Sequence, residues 1–279
     1  MTAAERYLDL MKKALTYSLW PEPLVRPQDD PEHRGPLDLA TRALARLAAV
    51  KKLHVARQRT FTDAERREGR VWPAYADTMI GFPRLDNIQY CVETVLRDGV
   101  PGDVLEAGVW RGGGSIFMRA VLAAHNITDR RVFVADSFEG LPVPEPDKYP
   151  VDGWYEFHTY KFLAVSQEQV AKNFARYGLL DDQVVFVKGW FKDSLPAAPI
   201  DQLAVIRLDG DMYASTIDAL THLYPKLSAG GFCIIDDYAI EGCKRAVHDY
   251  RAANNIDSAM HTIDWTGQFW RKGAAPAAP

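Results

Sequence analysis

The sequence predicts an α/β fold in which a mostly parallel sheet carries helices on both faces. Five apolar runs of strand length alternate with longer segments whose apolar residues recur at helical spacing. Near-continuous apolar strands are typical of parallel sheets, which are buried on both sides. Glycines or aspartates follow most of these runs, and the carboxyl ends of such strands are where ligands bind in open α/β sheets.

The elements of this sheet begin at Thr78, where the residue pattern changes. Segments with helical character lie before the first strand, at residues 87–97, and between later strands, at residues 116–125, 167–179 and 215–227. The strands themselves are predicted at residues 104–109, 132–138, 184–191, 203–211 and 231–238. We expect this domain to occupy residues 78–271, and the Ala- and Pro-rich residues 272–279 to form a disordered tail.

The N-terminal 77 residues are predicted to form a helical extension with a flap. Residues 21–36 are rich in Pro and Asp and indicate a loop. The basic segment 51–72 is interpreted as a solvated helix face or a mobile flap, including one that closes over a ligand; it lacks the interleaved aromatic residues of a nucleic-acid surface. The first 20 residues predict an amphipathic helix, whose apolar residues are Tyr7, Leu8, Leu10, Met11, Leu15 and Leu19.

Composition and charge exclude several classes of protein. The 279 residues are 47% hydrophobic and 25% charged, which fits one large globular domain or two small ones. A formal net charge of −4 argues against a general nucleic-acid binder. No stretch approaches 18 apolar residues, and charges interrupt the N-terminal helix where a signal peptide would be apolar, so we expect a cytoplasmic protein with no membrane partner. The cysteines, which form neither a CxxC motif nor a Cys/His cluster, are Cys91, Cys233 and Cys243.

A glycine-rich loop follows the first predicted strand, in the sequence VLEAGVWRGGGS (104–115). A dinucleotide fingerprint requires G-x-G-x-x-G, but the position of its second glycine is occupied by Trp110. The spacing therefore favours a ligand without a pyrophosphate, of which S-adenosylmethionine is the common one, with Glu106 accepting hydrogen bonds at the strand end. A tight loop without any ligand remains the alternative.

Asp136 ends the second predicted strand, 30 residues after Glu106. An acidic residue in this place can accept hydrogen bonds from both ribose hydroxyls of a nucleoside. The alternative is that Asp136 caps the turn that follows it.

Two pairs of aspartates end the fourth and fifth predicted strands. Asp209 and Asp211 follow one strand, and Asp236 and Asp237 follow the next. Carboxylates that are crowded together repel one another, and a divalent cation such as Mg²⁺ would relieve this repulsion. The alternative is that Asp211 and Asp237 are helix caps, or form ion pairs with Arg207 or Lys244.

A cation at this edge would suit methyl transfer to an oxygen. Metal coordination lowers the pKa of a hydroxyl, and a neighbouring carboxylate can then accept its proton. Asp211 is the candidate base because it lies two residues beyond Asp209. The sequence leaves the acceptor open between a sugar hydroxyl and a catechol or other phenolic diol. Two other functions also remain possible: a non-catalytic S-adenosylmethionine-binding protein, and a nicotinamide-dependent dehydrogenase, which Trp110 disfavours.

Seven motifs from Thr78 to about Arg251 resemble those of the macrocin and mycinamicin family of sugar O-methyltransferases, in the same order. That family tailors macrolide and aminocoumarin antibiotics. Residues 1–77 resemble it only loosely, and Ala107 stands where relatives often carry Thr. The motifs are TMIGFPRLDN (78–87), VLEAGVWRGGGS (104–115), VADSFEGLP (134–142), RYGLLDD (176–182), GWFKDSLP (189–196), RLDGDMYAST (207–216) and GGFCIIDDY (230–238).

The resemblance implies a Rossmann-like class I methyltransferase fold with a seven-stranded sheet whose last strand is antiparallel. It also implies S-adenosylmethionine and Mg²⁺ as cofactors, a glycosylated natural product as substrate, and a flap before Thr78. By position it implies Asp211 as the general base and Asp209, Asp236 and Asp237 as metal ligands. The implied cofactor-binding residues are Met79, Glu106, Ala107, Gly108, Val109, Trp110, Ser115, Asp136, Ser137, Gly189, Trp190, Phe191 and Asp209.

Residues 142–162 do not match the family closely enough for the identity of the acceptor to transfer. Four aromatic residues in this loop suit the apolar faces of a glycosylated polyketide, although they could equally pack the loop down. The N-terminal helix is compatible with an arm of a homo-oligomer or with packing on its own sheet. The aromatic residues are Trp154, Tyr155, Phe157 and Tyr160, and His158 lies among them as at most a weak substrate contact.

Overall fold

The five predicted strands form the parallel part of a seven-stranded sheet in the order β3-β2-β1-β4-β5-β7-β6. The computed structural model describes residues 1–22, 24, 36–53, 55–56, 60–72 and 74–273. β7 runs antiparallel to both of its neighbours, as the resemblance implies for the last strand. The strands are β1 (Asp103–Ala107), β2 (Val132–Asp136), β3 (Val184–Lys188), β4 (Leu203–Leu208), β5 (Leu227–Ile235), β6 (His261–Thr262) and β7 (Gln268–Arg271).

Helices cover both faces of this sheet, which confirms the predicted α/β class. Within the described residues no helix is both long and apolar enough to cross a membrane. The helices are α1 (Ala3–Leu15), α2 (Pro36–Val50), α3 (Asp63–Arg67), α4 (Phe82–Arg97), α5 (Gly113–Ala124), α6 (Gln167–Arg176), α7 (Phe191–Ala197), α8 (Tyr213–Leu223) and α9 (Glu241–Ala253).

The strand register aligns the carboxyl ends of the central strands. Ala107 of β1 pairs with Leu208 of β4, and Leu208 pairs with Ile235 of β5. The residues that follow these strands therefore meet at one edge of the sheet. This register brings the glycine loop and both aspartate pairs into one region, as the strand-end pattern of the sequence predicts.

Helix α1 packs against α5 of the same chain. Leu8, Met11 and Leu15 are buried there, while Leu10 and Leu19 remain exposed. The side chain of Lys12 forms an ion pair with Asp86 of α4, and a capping box at Thr2 begins the helix. The apolar stripe is therefore narrower than the sequence suggests, and it faces the chain's own core.

The third predicted strand is shorter than expected. It ends at Lys188 because Gly189 adopts a φ of 137°, a backbone conformation that breaks the extended chain. Residues 191–197 then form α7, whose first turn is closed by the Ser194 hydroxyl donating to the carbonyls of Gly189 and Trp190.

At the C-terminus, Lys272 continues the pairing with β5 through backbone bonds to Gly230 and Gly231. The rest of the predicted tail, residues 274–279, lies outside the described residues, as do most of the predicted loop 21–36 and Arg57 and Arg59 of the basic segment. The three cysteines are buried free thiols.

Candidate active site

A cavity of about 730 Å³ lies at the carboxyl ends of β1, β2, β4 and β5. Its volume falls within the range of small-molecule sites, roughly 300–1,000 Å³. All four aspartates of the two pairs line it, together with Gly69 and Trp72 from the N-terminal extension. Most of the predicted cofactor-binding residues also line it, namely Met79, Glu106, Gly108, Val109, Trp110, Asp136, Ser137, Gly189, Trp190, Phe191 and Asp209.

Ala107 and Ser115 were also predicted to bind the cofactor, but both are fully buried and are not among the cavity-lining residues. Ser115 donates its hydroxyl proton to the carboxylate of Glu106 from the first turn of α5. The structure thus places Ser115 behind the cavity wall, where it holds a lining residue.

The glycine loop brings the backbone of β1 against that of β4. A Cβ atom at Gly108, whose φ is 89°, would lie 1.7 Å from the carbonyl oxygen of Asp209. A Cβ atom at Gly114 would lie 2.1 Å from Oε1 of Glu106. Glycine at these two positions therefore lets the first turn of α5 and the strand ends approach closely, as the sequence motif predicts.

Glu106 is enclosed by protein groups. Besides Ser115, its carboxylate contacts the guanidinium of Arg207 in an ion pair whose two side chains are both about 2% exposed. Burial raises the pKa of Glu106 to about 7, and the attraction of Arg207 opposes this rise. Glu106 therefore lines the cavity with a carboxylate that already has two internal partners.

Asp136 joins two loops at the cavity wall. Its Oδ2 atom accepts a hydrogen bond from the backbone N–H of Val109 at 2.8 Å, and its Oδ1 atom accepts one from that of Phe138 at 2.6 Å. Burial raises the pKa of Asp136 while these N–H donors lower it. Asp136 therefore caps the turn that follows it, as the alternative proposes, and it also lines the cavity.

Asp209, Asp211 and Asp237 form a carboxylate cluster. One oxygen atom from each lies within 4.8 Å of the others. Asp211 adopts a left-handed backbone with φ of 55°, and its N–H donates to Oδ2 of Asp237 at 3.0 Å. This hydrogen bond connects the turn after β4 with the end of β5.

Burial and mutual repulsion raise the pKa of every member of this cluster, to about 6 for Asp209, to about 8 for Asp211 and well above the usual value for Asp237. Oxygen ligands are those that Mg²⁺ prefers, and a divalent cation would compensate the repulsion. The donor set and its electrostatics therefore fit a magnesium ion.

Asp236 lines the same cavity but is not a member of this cluster. Its two oxygen atoms form ion pairs with Arg84 of α4 and with Arg207 of β4. Burial alone would raise the pKa of Asp236, but these guanidinium groups lower it below its usual value. Of the three metal ligands that the resemblance implies, the structure brings together Asp209 and Asp237, whereas Asp236 pairs with arginines.

Arginine is the functional residue type that the sequence patterns did not reveal. The sequence indicates Arg207 only as an alternative partner of the aspartates, whereas in the structure it contacts Glu106, Asp209 and Asp236 at once. Arg84, which was not considered, also pairs with Asp264 at 3.0 Å. A lone arginine inside the apolar run LAVIRL is the one signal that could have indicated a buried ion-pair network.

The loop 142–162 forms three short 3₁₀ turns beside the cavity. Five aromatic rings make an aromatic ladder along it, with centroid separations between neighbours of 5.0 to 6.1 Å. The ladder runs from the loop to the N-terminal extension through Tyr155, Phe157, Tyr160, Phe162 and Trp72.

The four aromatic residues predicted in this loop have different surroundings. Phe157 and Tyr160 line the cavity, whereas Trp154 is 88% exposed. The hydroxyl of Tyr155 accepts a hydrogen bond from the N–H of Gly242 at 3.2 Å. His158 is exposed and does not line the cavity.

The N-terminal extension borders the cavity through the segment predicted as a flap. Its Arg66 is buried in an ion pair with Glu22, and the indole N–H of Trp265 donates to the carbonyl of Glu68 at 3.2 Å. Trp265 also lines the cavity. These contacts attach the segment both to the end of the first helical region and to the body of the chain before β7.

The sequence that builds this site matches a known protein family. The model of the macrocin O-methyltransferase family matches residues 4–272. A Streptomyces olivaceus protein named as 8-demethyl-8-(2,3-dimethoxy-alpha-L-rhamnosyl)-tetracenomycin-C 4'-O-methyltransferase is 54% identical over 276 residues, covering 99% of this chain and 95% of that protein. The mycinamicin III 3''-O-methyltransferase of Micromonospora griseorubida is 50% identical over 244 residues, covering 85% and 96%.

The chain is also similar to solved structures of methyltransferases. The O-methyltransferase NovP has a TM-score of 0.82 at 46% identity, over 97% of this chain and 99% of NovP. The calicheamicin methyltransferase CalS11 has a TM-score of 0.56 at 17% identity, over 86% of this chain and 94% of that one, and so shares the fold.

Proposed function

Because this chain belongs to the macrocin O-methyltransferase family and is an O-methyltransferase, we propose that it methylates a hydroxyl of a deoxysugar on a glycosylated natural product. We propose S-adenosylmethionine as methyl donor and Mg²⁺ as cofactor. The observation that carries the proposal is the carboxylate cluster of Asp209, Asp211 and Asp237, which faces the same cavity as the glycine loop. The name of the Streptomyces olivaceus relative, which includes a rhamnosyl group, supports a sugar as the acceptor.

The end of β1 and the end of β2 are the proposed site of the cofactor. S-adenosylmethionine would supply an electrophilic methyl group on its sulfonium. Asp136 lines the cavity here and would accept hydrogen bonds from ribose hydroxyls, and its carboxylate is bonded to the backbone N–H of Val109. Trp190 and Phe191 line the same cavity and offer apolar faces to an adenine ring.

The carboxylate cluster is the proposed metal site. A divalent cation there would act as a Lewis acid that lowers the pKa of a coordinated acceptor hydroxyl. Asp209 and Asp237 hold it in this proposal, with Asp236 as the third ligand that the resemblance implies. Both oxygen atoms of Asp236 already pair with arginines, so its contribution requires a variant of its own.

Asp211 is the proposed general base. It lies in the cluster and lines the cavity, and burial and the repulsion of neighbouring carboxylates raise its pKa to about 8, so that once ionised it takes up a proton more readily than an ordinary aspartate. It would take up the proton that the acceptor hydroxyl loses on methylation, and S-adenosylhomocysteine would be left once the S–CH3 bond of the donor is broken. Trp72 and Trp265 also line the cavity.

The acceptor is proposed to lie against the aromatic ladder. Phe157, Tyr160 and Trp72 line the cavity on the side of the loop 142–162. Flat aromatic faces suit an apolar aglycone, whereas the sugar reaches the carboxylates.

Mass spectrometry of products from a panel of deoxysugar glycosides tests the proposal. We expect a gain of one methyl group on a glycoside, in the presence of S-adenosylmethionine and Mg²⁺, and loss of turnover with EDTA or in the Asp237→Asn variant. Binding of S-adenosylmethionine should survive both treatments. Full activity in EDTA would refute the metal role, and turnover of catechols but not glycosides would replace the sugar acceptor with a phenolic diol.

A further inference from the structure

A short part of the loop after β2 contacts the first turns of two helices. We call residues 149–155 the clamp segment; it contains the 3₁₀ turn Pro150–Asp152. The side chain of Asp152 is fully buried, and its two oxygen atoms accept hydrogen bonds from the N–H groups of Tyr213 at 2.8 Å and Ala214 at 2.9 Å. These are the first two residues of α8.

The clamp segment also reaches α9. The hydroxyl of Tyr155 accepts the hydrogen bond from the N–H of Gly242, the second residue of α9. The first N–H groups of a helix have no partner within the helix, so an external acceptor fixes the position of that turn. One short segment therefore holds the starts of two helices.

Those two helices begin directly after the two pairs of aspartates. α8 begins two residues after Asp211, and α9 begins four residues after Asp237. Whatever fixes the relative position of the two first turns also fixes the distance between these carboxylates, because only short turns connect them.

The packing at this point leaves little room for adjustment. A Cβ atom on Gly242 would lie 2.7 Å from Oδ1 of Asp152 and 3.0 Å from the backbone N of Tyr213. The ring of Tyr149 packs on that of Tyr213 with centroids 5.1 Å apart. The hydroxyl of Tyr213 in turn donates to Asp249 of α9 at 3.0 Å.

We propose that Asp152 is a positioning residue that sets the spacing of Asp209, Asp211 and Asp237 through the first turns of α8 and α9, and thereby sets the affinity of the site for a divalent cation. This inference rests on the proposed function, which assigns that cation to the cluster.

Direct measurement of Mg²⁺ binding tests the inference. Isothermal titration calorimetry is done on the full chain with Mg²⁺ alone, without donor or acceptor. We expect Asp152→Ala to weaken Mg²⁺ binding at least tenfold. Asp152→Asn retains one carbonyl acceptor for a helix N–H and should give an intermediate loss. The matched control is Asp147→Ala, which alters an exposed carboxylate in the same loop and should bind Mg²⁺ as the wild type does.

Two further readouts separate positioning from a general loss of structure. Affinity for S-adenosylhomocysteine should change less than twofold in Asp152→Asn, since Asp152 is not among the cavity-lining residues. The lowered turnover should recover as the Mg²⁺ concentration is raised. Tyr155→Phe, which removes only the hydroxyl at α9, should weaken Mg²⁺ binding less than Asp152→Ala and should fold if the alanine variant does not.

The outcomes distinguish the two proposals. Wild-type binding of Mg²⁺ with unchanged affinity in Asp152→Asn and Tyr155→Phe would overturn the positioning role and leave the proposed function standing. Parallel loss of Mg²⁺ and S-adenosylhomocysteine binding with a lowered melting temperature would also overturn it, in favour of a structural role. No Mg²⁺ binding by the wild type would overturn both.

Discussion

Arg207 places its Nη2 atom 2.9 Å from Oδ2 of Asp209, and thereby connects a buried ion-pair network to the carboxylate cluster. The same guanidinium contacts Glu106 and Asp236, so one cation is shared by three acids from three neighbouring strand ends. Arg207 compensates the charges of Glu106, Asp209 and Asp236, whereas burial and the repulsion of the Asp211 carboxylate raise the pKa of Asp237. This division leaves negative charge where the proposed ion would bind.

Replacing Arg207 with Met should destabilise the protein by about 3–5 kcal/mol, because removing one partner leaves buried carboxylates without compensation. Urea unfolding followed by circular dichroism measures the change. The control is Arg97→Met, an arginine whose side chain is 67% exposed and whose removal should cost less than about 0.5 kcal/mol. Equal costs for the two variants would contradict the network.

Asp211→Asn should lower kcat by about 10²- to 10⁴-fold, the usual contribution of a general base. If Asp211 is the base and not a ligand, the Mg²⁺ dissociation constant should change much less than kcat. Calorimetry and steady-state kinetics at saturating Mg²⁺ separate the two roles. A near-normal rate in this variant would mean that no base is needed.

Asp236→Asn addresses the third ligand. If Asp236 remains paired with Arg84 and Arg207, the variant should lose stability and retain most of its Mg²⁺ affinity. If Asp236 exchanges an arginine for the ion, the affinity should fall as far as it does in Asp237→Asn. Calorimetry on both variants, compared at equal folded fraction, decides between these two arrangements.

Stability without a cation should fall as the pH rises. The pKa of Asp211 is about 8 in the folded chain and near 3.8 when unfolded, so between these values the folded state holds a proton that the unfolded state has lost. The stabilisation that this proton provides is thus complete below the pKa of the unfolded state and is lost as the pH approaches 8. In EDTA, the unfolding free energy of Asp211→Asn minus that of the wild type should increase by about 1–3 kcal/mol as the pH rises from 5 to 8.

Added Mg²⁺ should reverse this trend, because the ion binds ionised carboxylates and releases their protons. The stabilisation by a fixed Mg²⁺ concentration should therefore increase from pH 6 to pH 8. If the difference in unfolding free energy between Asp211→Asn and the wild type in EDTA does not change with pH, Asp211 is ionised throughout this range.

Trp72→Ala should raise the KM for the acceptor by about 3- to 10-fold, which corresponds to the loss of one aromatic contact of about 0.5–1.5 kcal/mol. Affinity for S-adenosylhomocysteine should stay within twofold if the ladder serves the acceptor. Trp154→Ala is the control, since that side chain is exposed and does not line the cavity. Initial rates over a range of acceptor concentrations provide the measurement.

The sheet and the position of its reactive edge could be predicted because both depend on local patterns. Apolar runs followed by Gly108, Asp136, Asp209 and Asp237 place these residues at strand ends, and parallel register brings the ends together. The arginine network could not be found in this way, since Arg84 and Asp236 are 152 positions apart. Nothing local to either residue indicates that they meet.

The loop 142–162 shows a second limit of sequence patterns. Its aromatic content was evident, but only the backbone path decides that Phe157 faces the cavity while Trp154 faces solvent. Asp152 gave no signal at all, because a helix start normally takes its cap from the residue just before it, and this one takes it from 61 positions away.

The left-handed turn at Asp211 has a practical use. Asparagine tolerates this backbone conformation nearly as well as aspartate does, and it has almost the same shape. The Asp211→Asn variant should therefore keep the architecture of the site while stalling the reaction. Crystals of such a stalled enzyme, grown with intact donor and acceptor together, would reveal which hydroxyl is presented for alkylation before any product forms.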